Sequence, residues 1–273
     1  MKQSIRLLAL ASAMSLGAAA HAELSPVMTI SAGGNLSHAG WELSNARGTA
    51  NLVFDKTLVN AINLAGISIE AVAPATINAP KGATGRYTSI SIGTTGGSAS
   101  GYLDTSNMTV YGTAVATQGG GILRSYGDDD ATNIGGFLAI SNLRVDLTNK
   151  TTGTIYATVS GDHGVASGEI AMWNFAMANL SGPITFPAIE GTQTATNTIT
   201  GLSITPQAFE IFATALGLND FGRSSMAGIK TYGTINSVLS LDAKYVGTVP
   251  EPSTYALMGL VGLATAARRR RAA

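Results

Sequence analysis

Apolar and polar positions alternate with a period of two through most of the apolar runs of this chain. That spacing sends one side chain into a core and the next into solvent along a strand. The segment Gly66-Ile67-Ser68-Ile69-Glu70-Ala71-Val72 is the cleanest case, and Tyr87 to Ile92 alternates likewise. Val27 to Ile30, Ala50 to Phe54, Met108 to Val115 and Ile229 to Leu241 read as further strands. The strongest hairpin runs from Phe137 to Leu147, turns through the polar Thr148-Asn149-Lys150-Thr151-Thr152-Gly153, and returns from Thr154 to Val159. A polar loop ending in Gly suits a bulged hairpin turn. Ala171 to Met177 reads as a buried edge strand whose Met and Phe side chains face away from Trp173 and Asn174.

Two short helices interrupt this pattern. Thr205-Pro206 is an N-cap followed by proline at the first helical position, with Phe209, Phe212, Ala213 and Leu216 on one face and Gly217 as the stop. Asp55 caps a second helix over Lys56 to Ala65, with Leu58, Val59, Ile62 and Ala65 on one face and Gly66 as the stop. Each follows a short strand, Leu52-Val53-Phe54 or Leu202-Ser203-Ile204. The repeated strand, cap, helix and glycine suggest a duplicated motif; two ordinary capped helices would look the same. The expected fold is mainly β, sandwich-like antiparallel sheets with one or two short helices.

The two ends break the pattern. Lys2 and Arg6 precede the apolar run Leu7 to Leu16, and Ala20-His21-Ala22 offers the small-x-small site of a secretory signal peptide. This predicts export through the Sec translocon, cleavage by signal peptidase after Ala22, and a mature chain starting at Glu23. At the other end Pro250-Glu251-Pro252 leads into the apolar stretch Tyr255 to Ala267 and then Arg268, Arg269, Arg270 and Arg271. Thirteen residues make a helix of about 20 Å, against a hydrocarbon core of about 30 Å. Four arginines hold their side in the cytoplasm. This tail resembles the PEP-CTERM sorting signal of Gram-negative bacteria. The resemblance implies cleavage near Pro-Glu-Pro by an exosortase, transient anchoring in the inner membrane, and delivery to the cell surface or beyond, often alongside exopolysaccharide and biofilm production. An ordinary uncleaved anchor is the plainer alternative. The chain then divides into a signal peptide (1–22), an exported β-rich domain (23–248) and the sorting tail (249–273).

Removing both ends changes the charge. Of sixteen basic residues ten remain in the body, and of sixteen acidic ones fifteen, so a formally neutral chain becomes a domain of about −5. An acidic exported domain does not suit nucleic acid or anionic lipid as a partner. Zero cysteines exclude disulfides, thiolate metal sites and cysteine nucleophiles. Charged residues make up only 12% of the chain and apolar ones 45%. That balance favours a folded β-rich body with loose polar stretches such as Gly191 to Thr200, over full disorder.

Candidate chemistry is sparse. No nucleophile elbow, P-loop or zinc-protease motif is present, so no catalytic residue is assigned and the expectation is a protein that is not an enzyme. Asp162-His163 near Glu169 is the nearest thing to an oriented base, and reads more simply as a polar turn. Asp128, Asp129 and Asp130, followed by Thr132 and Asn133, form the densest set of oxygen ligands, a weak calcium site at most, because the calcium-loop pattern fails at its sixth and twelfth positions. No other cofactor is expected. Trp41, Trp173 and the eight tyrosines would suit stacking on sugars. The segment from Phe137 to Leu180 also resembles HtaA-like haem-binding domains, but no ligating Tyr or His matches and no site carries over. The expected role is a non-catalytic surface or extracellular-matrix protein, with a small-ligand or carbohydrate-binding module as the alternative.

Overall fold

Strand sequence dominates the body, and in the computed structural model most of these strands pair on both edges, so few backbone groups are left open. The structure describes residues 28–38, 40–104, 109–127, 133–147, 152–177, 185–187 and 189–247. In chain order the elements are β1 (Met28–Ser31), β2 (Leu36–His38), β3 (Trp41–Phe54), α1 (Lys56–Leu64), β4 (Ser68–Val72), β5 (Thr76–Asn78), β6 (Ser91–Asp104), β7 (Thr109–Gln118) and β8 (Gly120–Ser125). They continue as β9 (Gly136–Asp146), β10 (Thr152–Gly161), β11 (Gly168–Met177), β12 (Thr185–Pro187), β13 (Gly191–Ile204), α2 (Pro206–Ala215), α3 (Asp220–Ala227) and β14 (Gly233–Tyr245).

One antiparallel sheet holds all fourteen strands. Its central run is β7-β6-β3-β14-β13-β11-β10-β9, and β9 pairs back onto β7 through Val115 opposite Val145. These eight strands therefore close into a ring. The mainly antiparallel class is as the sequence implies, and the facing walls of a sandwich are here the opposite sides of one closed sheet. Among the described residues there are three helices where one or two were expected.

β3 and β13 flank β14, antiparallel to it, so they run in the same direction and deliver α1 and α2 to the same end of the ring. Asp55 caps α1 by accepting from the Thr57 amide at 2.8 Å, and Thr205 caps α2 by accepting from the Ala208 amide at 3.1 Å. Both helices stop alike: Gly66 and Gly217 each adopt φ of +61°, and the amides of Ile67 and Leu218 reach back to the carbonyls of Ile62 and Ala213. That is the Schellman closure, which needs a left-handed residue and so favours glycine. The similarity of the two units is thus repeated in backbone geometry. With α3 capped by Asn219, the helices plug this end. At the opposite end β1 pairs with β6 and β2 with β3.

Two sequence expectations change. β11 is an interior strand between β10 and β13, not an edge. Its alternation fails because a bulge opposite Ile155 and Tyr156 inserts an extra residue, so Met172, Trp173 and Phe175 are all buried. The polar stretch Gly191 to Thr200 is strand, not loose loop: it lies in β13, in register with β14 from Gly191 opposite Ala243 to Ile199 opposite Ile235.

Candidate functional site

Every residue singled out from the sequence as a sorting or processing determinant lies outside the described residues: Ala20, Ala22, Pro250, Glu251, Pro252 and Arg268 to Arg271. So do Asp128, Asp129 and Asp130. Their neighbour Asn133 is described and is already occupied. It is buried, its Oδ1 accepts from the amides of Gly127 and Gly135 at 3.1 Å each, and its Nδ2 donates to the Ala65 carbonyl at 3.0 Å. This amide ties Gly127 to Gly135 and is not free to serve as a calcium ligand. Among the described residues no group of three or more His, Cys, Asp or Glu side chains gathers.

The Asp162, His163 and Glu169 set does not converge. His163 Nε2 donates to the Gly135 carbonyl at 2.7 Å, tying the β10–β11 turn to the loop before β9. Glu169 takes a forked pair of bonds from Arg144 at 2.7 and 3.2 Å; this bonding holds its carboxyl below the usual carboxylate range. Asp242 accepts from Thr192 Oγ1 at 2.7 Å and from Asn45 Nδ2 at 2.8 Å, with Arg47 at 4.0 Å. Those two hydrogen bonds lower its pKa. It sits where a shared bulge breaks the β3–β14 register. These carboxylates are engaged in holding strands together.

What the fold builds instead is an apolar interior. Four chambers follow one another along the ring, each sharing wall residues with the next. The first, under the helices, is walled by Phe54, Ile62, Trp173, Phe212 and Tyr232. The second shares Leu52 and Trp173 with it and adds Thr117, Val145 and Ile235. The third adds Ile30, Ala99, Val115, Asn197 and Leu239, and the fourth ends at Leu36, Trp41, Tyr102, Leu103 and Leu241. The third and fourth have about 60 and 70 Å³ open to the centre of a water molecule. The far end is framed by aromatic rings, Trp41 against Tyr245 and Tyr102 stacked on Tyr111, both at 5.2 Å between centroids.

Few polar groups face this interior; Thr94 and Thr117 donate to the Ala50 and Leu143 carbonyls, and several others lack partners. Among the described residues the buried side-chain polar atoms without a hydrogen bond are Trp41 Nε1, Trp173 Nε1, Tyr232 Oη, and Nδ2 and Oδ1 of Asn197. All belong to residues that wall the chambers. An unsatisfied buried polar group costs about 1–3 kcal/mol, so five such atoms on four residues, spread from the first chamber to the fourth, are a costly arrangement. Burial alone pushes the Tyr232 phenol up to about 12. Both tryptophans are buried, at 8% and 6% exposure, so neither is a surface platform for sugar stacking.

A second concavity lies on the outer face of β6, β3, β14 and β13, a shallow groove of about 560 Å³ without a charged residue in its wall. Thr49, Asn51, Thr95, Thr196, Thr198 and Asn236 line it. Cross-strand bonds order this face: Thr198 donates to Asn236 at 3.1 Å, and the Thr194 and Ser240 hydroxyls meet at 3.0 Å. Neither concavity was found from sequence. Outward threonines alternating with Ala195, Asn197 and Ile199 were the available signal, and the glycine and threonine content obscured it.

Comparison with known proteins adds an address more than an activity. No curated protein matches the chain. Among solved structures, the crystal structure of the N-terminal domain of HtaA from Corynebacterium glutamicum is similar over 72% of this chain and 96% of that one, at 13% identity and a TM-score of 0.35. Residues 248–271 match the family model of the PEP-CTERM protein-sorting motif, as the Pro-Glu-Pro, apolar and arginine pattern implies. No helix among the described residues is long and apolar enough to cross a membrane. The chain thus ends in a PEP-CTERM protein-sorting motif, the mark of an exported, exosortase-processed protein bound for a surface or extracellular location.

Proposed function

We propose that the body of this chain is a non-catalytic surface or extracellular-matrix domain that associates with neutral exopolysaccharide once the exosortase has acted. The observation that carries this reading is the outer groove of hydroxyl and amide side chains, free of charge in an acidic domain. Such a wall offers donors and acceptors at strand spacing to a hydroxyl-rich polymer without demanding a charged one. Support for a non-catalytic role comes from the titratable groups: Asp242, Glu169 and Glu210 are each bound to neighbouring side chains. Export by the Sec translocon, signal-peptidase cleavage, a passing stay in the inner membrane and independence from nucleic acid, with no cofactor beyond a weak calcium site, belong to the same proposal. The test is affinity electrophoresis of the processed protein through gels containing the producing cell's exopolysaccharide. Retardation should fall severalfold in a Thr196→Glu/Thr198→Glu variant, and the polymer should release no new reducing ends. Unretarded wild-type protein would refute the association; released sugar would refute the non-catalytic role.

A further inference from the structure

We propose that the open half of the ring takes up one medium-chain aliphatic molecule ending in a hydroxyl or protonated carboxyl group, drawn from the bilayer, with Asn197 as its polar contact. This goes beyond the polysaccharide reading and does not depend on it: the two concavities share part of the β3, β14 and β13 wall, Asn197 included, but the groove offers the outward side chains of Thr196 and Thr198 and the chamber the buried amide of Asn197.

Asn197 carries the argument. It is 5% exposed, points inward between Ala195 and Ile199, and leaves both the donor and the acceptor of its amide unpaired. A lone amide in an apolar chamber is matched by a group that accepts from Nδ2 and donates to Oδ1, which a hydroxyl or a protonated carboxyl does and an alkane does not. From Asn197 to the start of β13 at Gly191 the strand covers roughly 20 Å. The walls along that path are Ile30, Ala99, Val115, Leu239, Leu103 and Leu241. At about 10–15 Å³ of such volume per water, the third and fourth chambers together hold on the order of ten waters, the bulk of a medium chain and not of a two-tailed lipid.

Chain direction supplies the source. β14 ends at Tyr245 beside Trp41, so the chain leaves the body at the mouth, and the apolar segment of the sorting tail begins at Tyr255. Nine residues from Val246 span about 30 Å at most. While the tail is membrane-bound the mouth is therefore held close to the bilayer. Its rim of Trp41, Tyr102, Tyr111 and Tyr245 is the residue class that settles at lipid–water interfaces.

The test uses the processed protein recovered from the producing cells and stripped of bound lipid. Calorimetric titration with decan-1-ol should show one molecule per chain. Asn197→Leu should weaken decan-1-ol about tenfold while decane binding stays within about twofold. Melting curves establish that the variant is folded, and Ala99→Trp, filling the shared wall of the third and fourth chambers, should abolish both. Phosphatidylcholine vesicles carrying decan-1-ol should give the alcohol up to the unprocessed precursor anchored in them by its tail. Absence of decan-1-ol binding, several molecules per chain, or an Asn197→Leu variant indistinguishable from wild type overturns the site. Uptake from water but none from vesicles overturns the bilayer source.

Discussion

The two ends of the ring are built by opposite rules. At the helix end Ile62, Leu138, Leu202 and Leu216 are entirely buried, both α1 and α2 are capped, and each closes on a left-handed glycine. At the mouth a separate small cluster of Trp41, Leu103, Leu241 and Ala243 stands apart from the main core. Aromatic rings there meet at a tilt, Trp41 against Tyr245, or stack, Tyr102 on Tyr111. Stability is concentrated where three helices cover the ring, and access where none does. That division suits a binding module, because a site that must open belongs in the less densely packed part of a structure.

The sharpest test of the division concerns what each end is for. The sorting tail leaves from the mouth, so changing Pro250, Glu251 and Pro252 to alanine should abolish C-terminal processing and leave the helix end untouched. Proline lacks an amide proton and has a fixed φ, and alanine has neither constraint, so the change removes what would set this motif apart from an ordinary linker. Intact mass should show precursor with its tail attached in the inner membrane, with the wild-type melting point. A tailless variant at the cell surface would reduce the motif to a linker.

Truncating the core at each end should give unequal losses. Phe212, 4% exposed, lies on the buried face of α2 in the main core, and Phe212→Ala should cost about 3–5 kcal/mol in urea unfolding. Leu103 is just as buried but belongs to the small mouth cluster, and Leu103→Ala should cost nearer 2 kcal/mol, the low end for such truncations. Equal losses would mean that the mouth is as tightly packed as the helix end.

The helix end was the more legible of the two in sequence. Asp55 and Thr205 with Pro206 announced the caps, Gly66 and Gly217 the stops, and Leu58, Val59, Ile62, Phe212 and Ala213 the buried faces. The hairpin of β9 and β10 was legible for the same reason, since strong alternation flanks a polar turn. The mouth was not. Its walls use Ala99 and Gly101 on the glycine-rich β6 and Gly112 on β7, where small inward residues carry no hydrophobic signal. Tyr87 to Ile92 alternates, yet β6 begins only at Ser91; Tyr87 is spent on an isolated bridge to Lys81. Asn197 reads as one more polar residue in a polar run until β14 fixes the register and turns it inward.

Alkali should attack the helix end through a single phenol. Tyr232 lies under α1 and α2, and burial pushes it up to about 12 from its ordinary 10. Below pH 10 the phenol is neutral in both states and stability is unaffected. As the pH rises towards 12 the unfolded chain ionises first, so the folded state loses up to about 3 kcal/mol. Tyr232→Phe should remove that part of the alkaline loss and cost nothing at pH 7, because the hydroxyl it deletes has no partner. Parallel wild-type and variant pH curves would show that the phenol is solvated.

The smallest effect distinguishes the two capped helices from each other. Asp55 is partly exposed and makes one capping bond, to the Thr57 amide. Asp55→Ala should cost about 1 kcal/mol, since water reaches the freed amide. Thr205 is buried and makes two bonds: it accepts from the Ala208 amide and donates to the Ala171 carbonyl on β11 at 2.6 Å. Thr205→Ala therefore leaves a donor and an acceptor unpaired away from water and should cost nearer 2 kcal/mol. Thr205→Ser keeps both bonds and should recover most of that loss, which separates the hydroxyl from the methyl packing beside it. The two units share a strand, a cap and a glycine stop, but only the second fastens its cap to a neighbouring strand. Urea midpoints that fall equally for Asp55→Ala and Thr205→Ala would make the two units energetic equals and leave the bond to β11 without consequence.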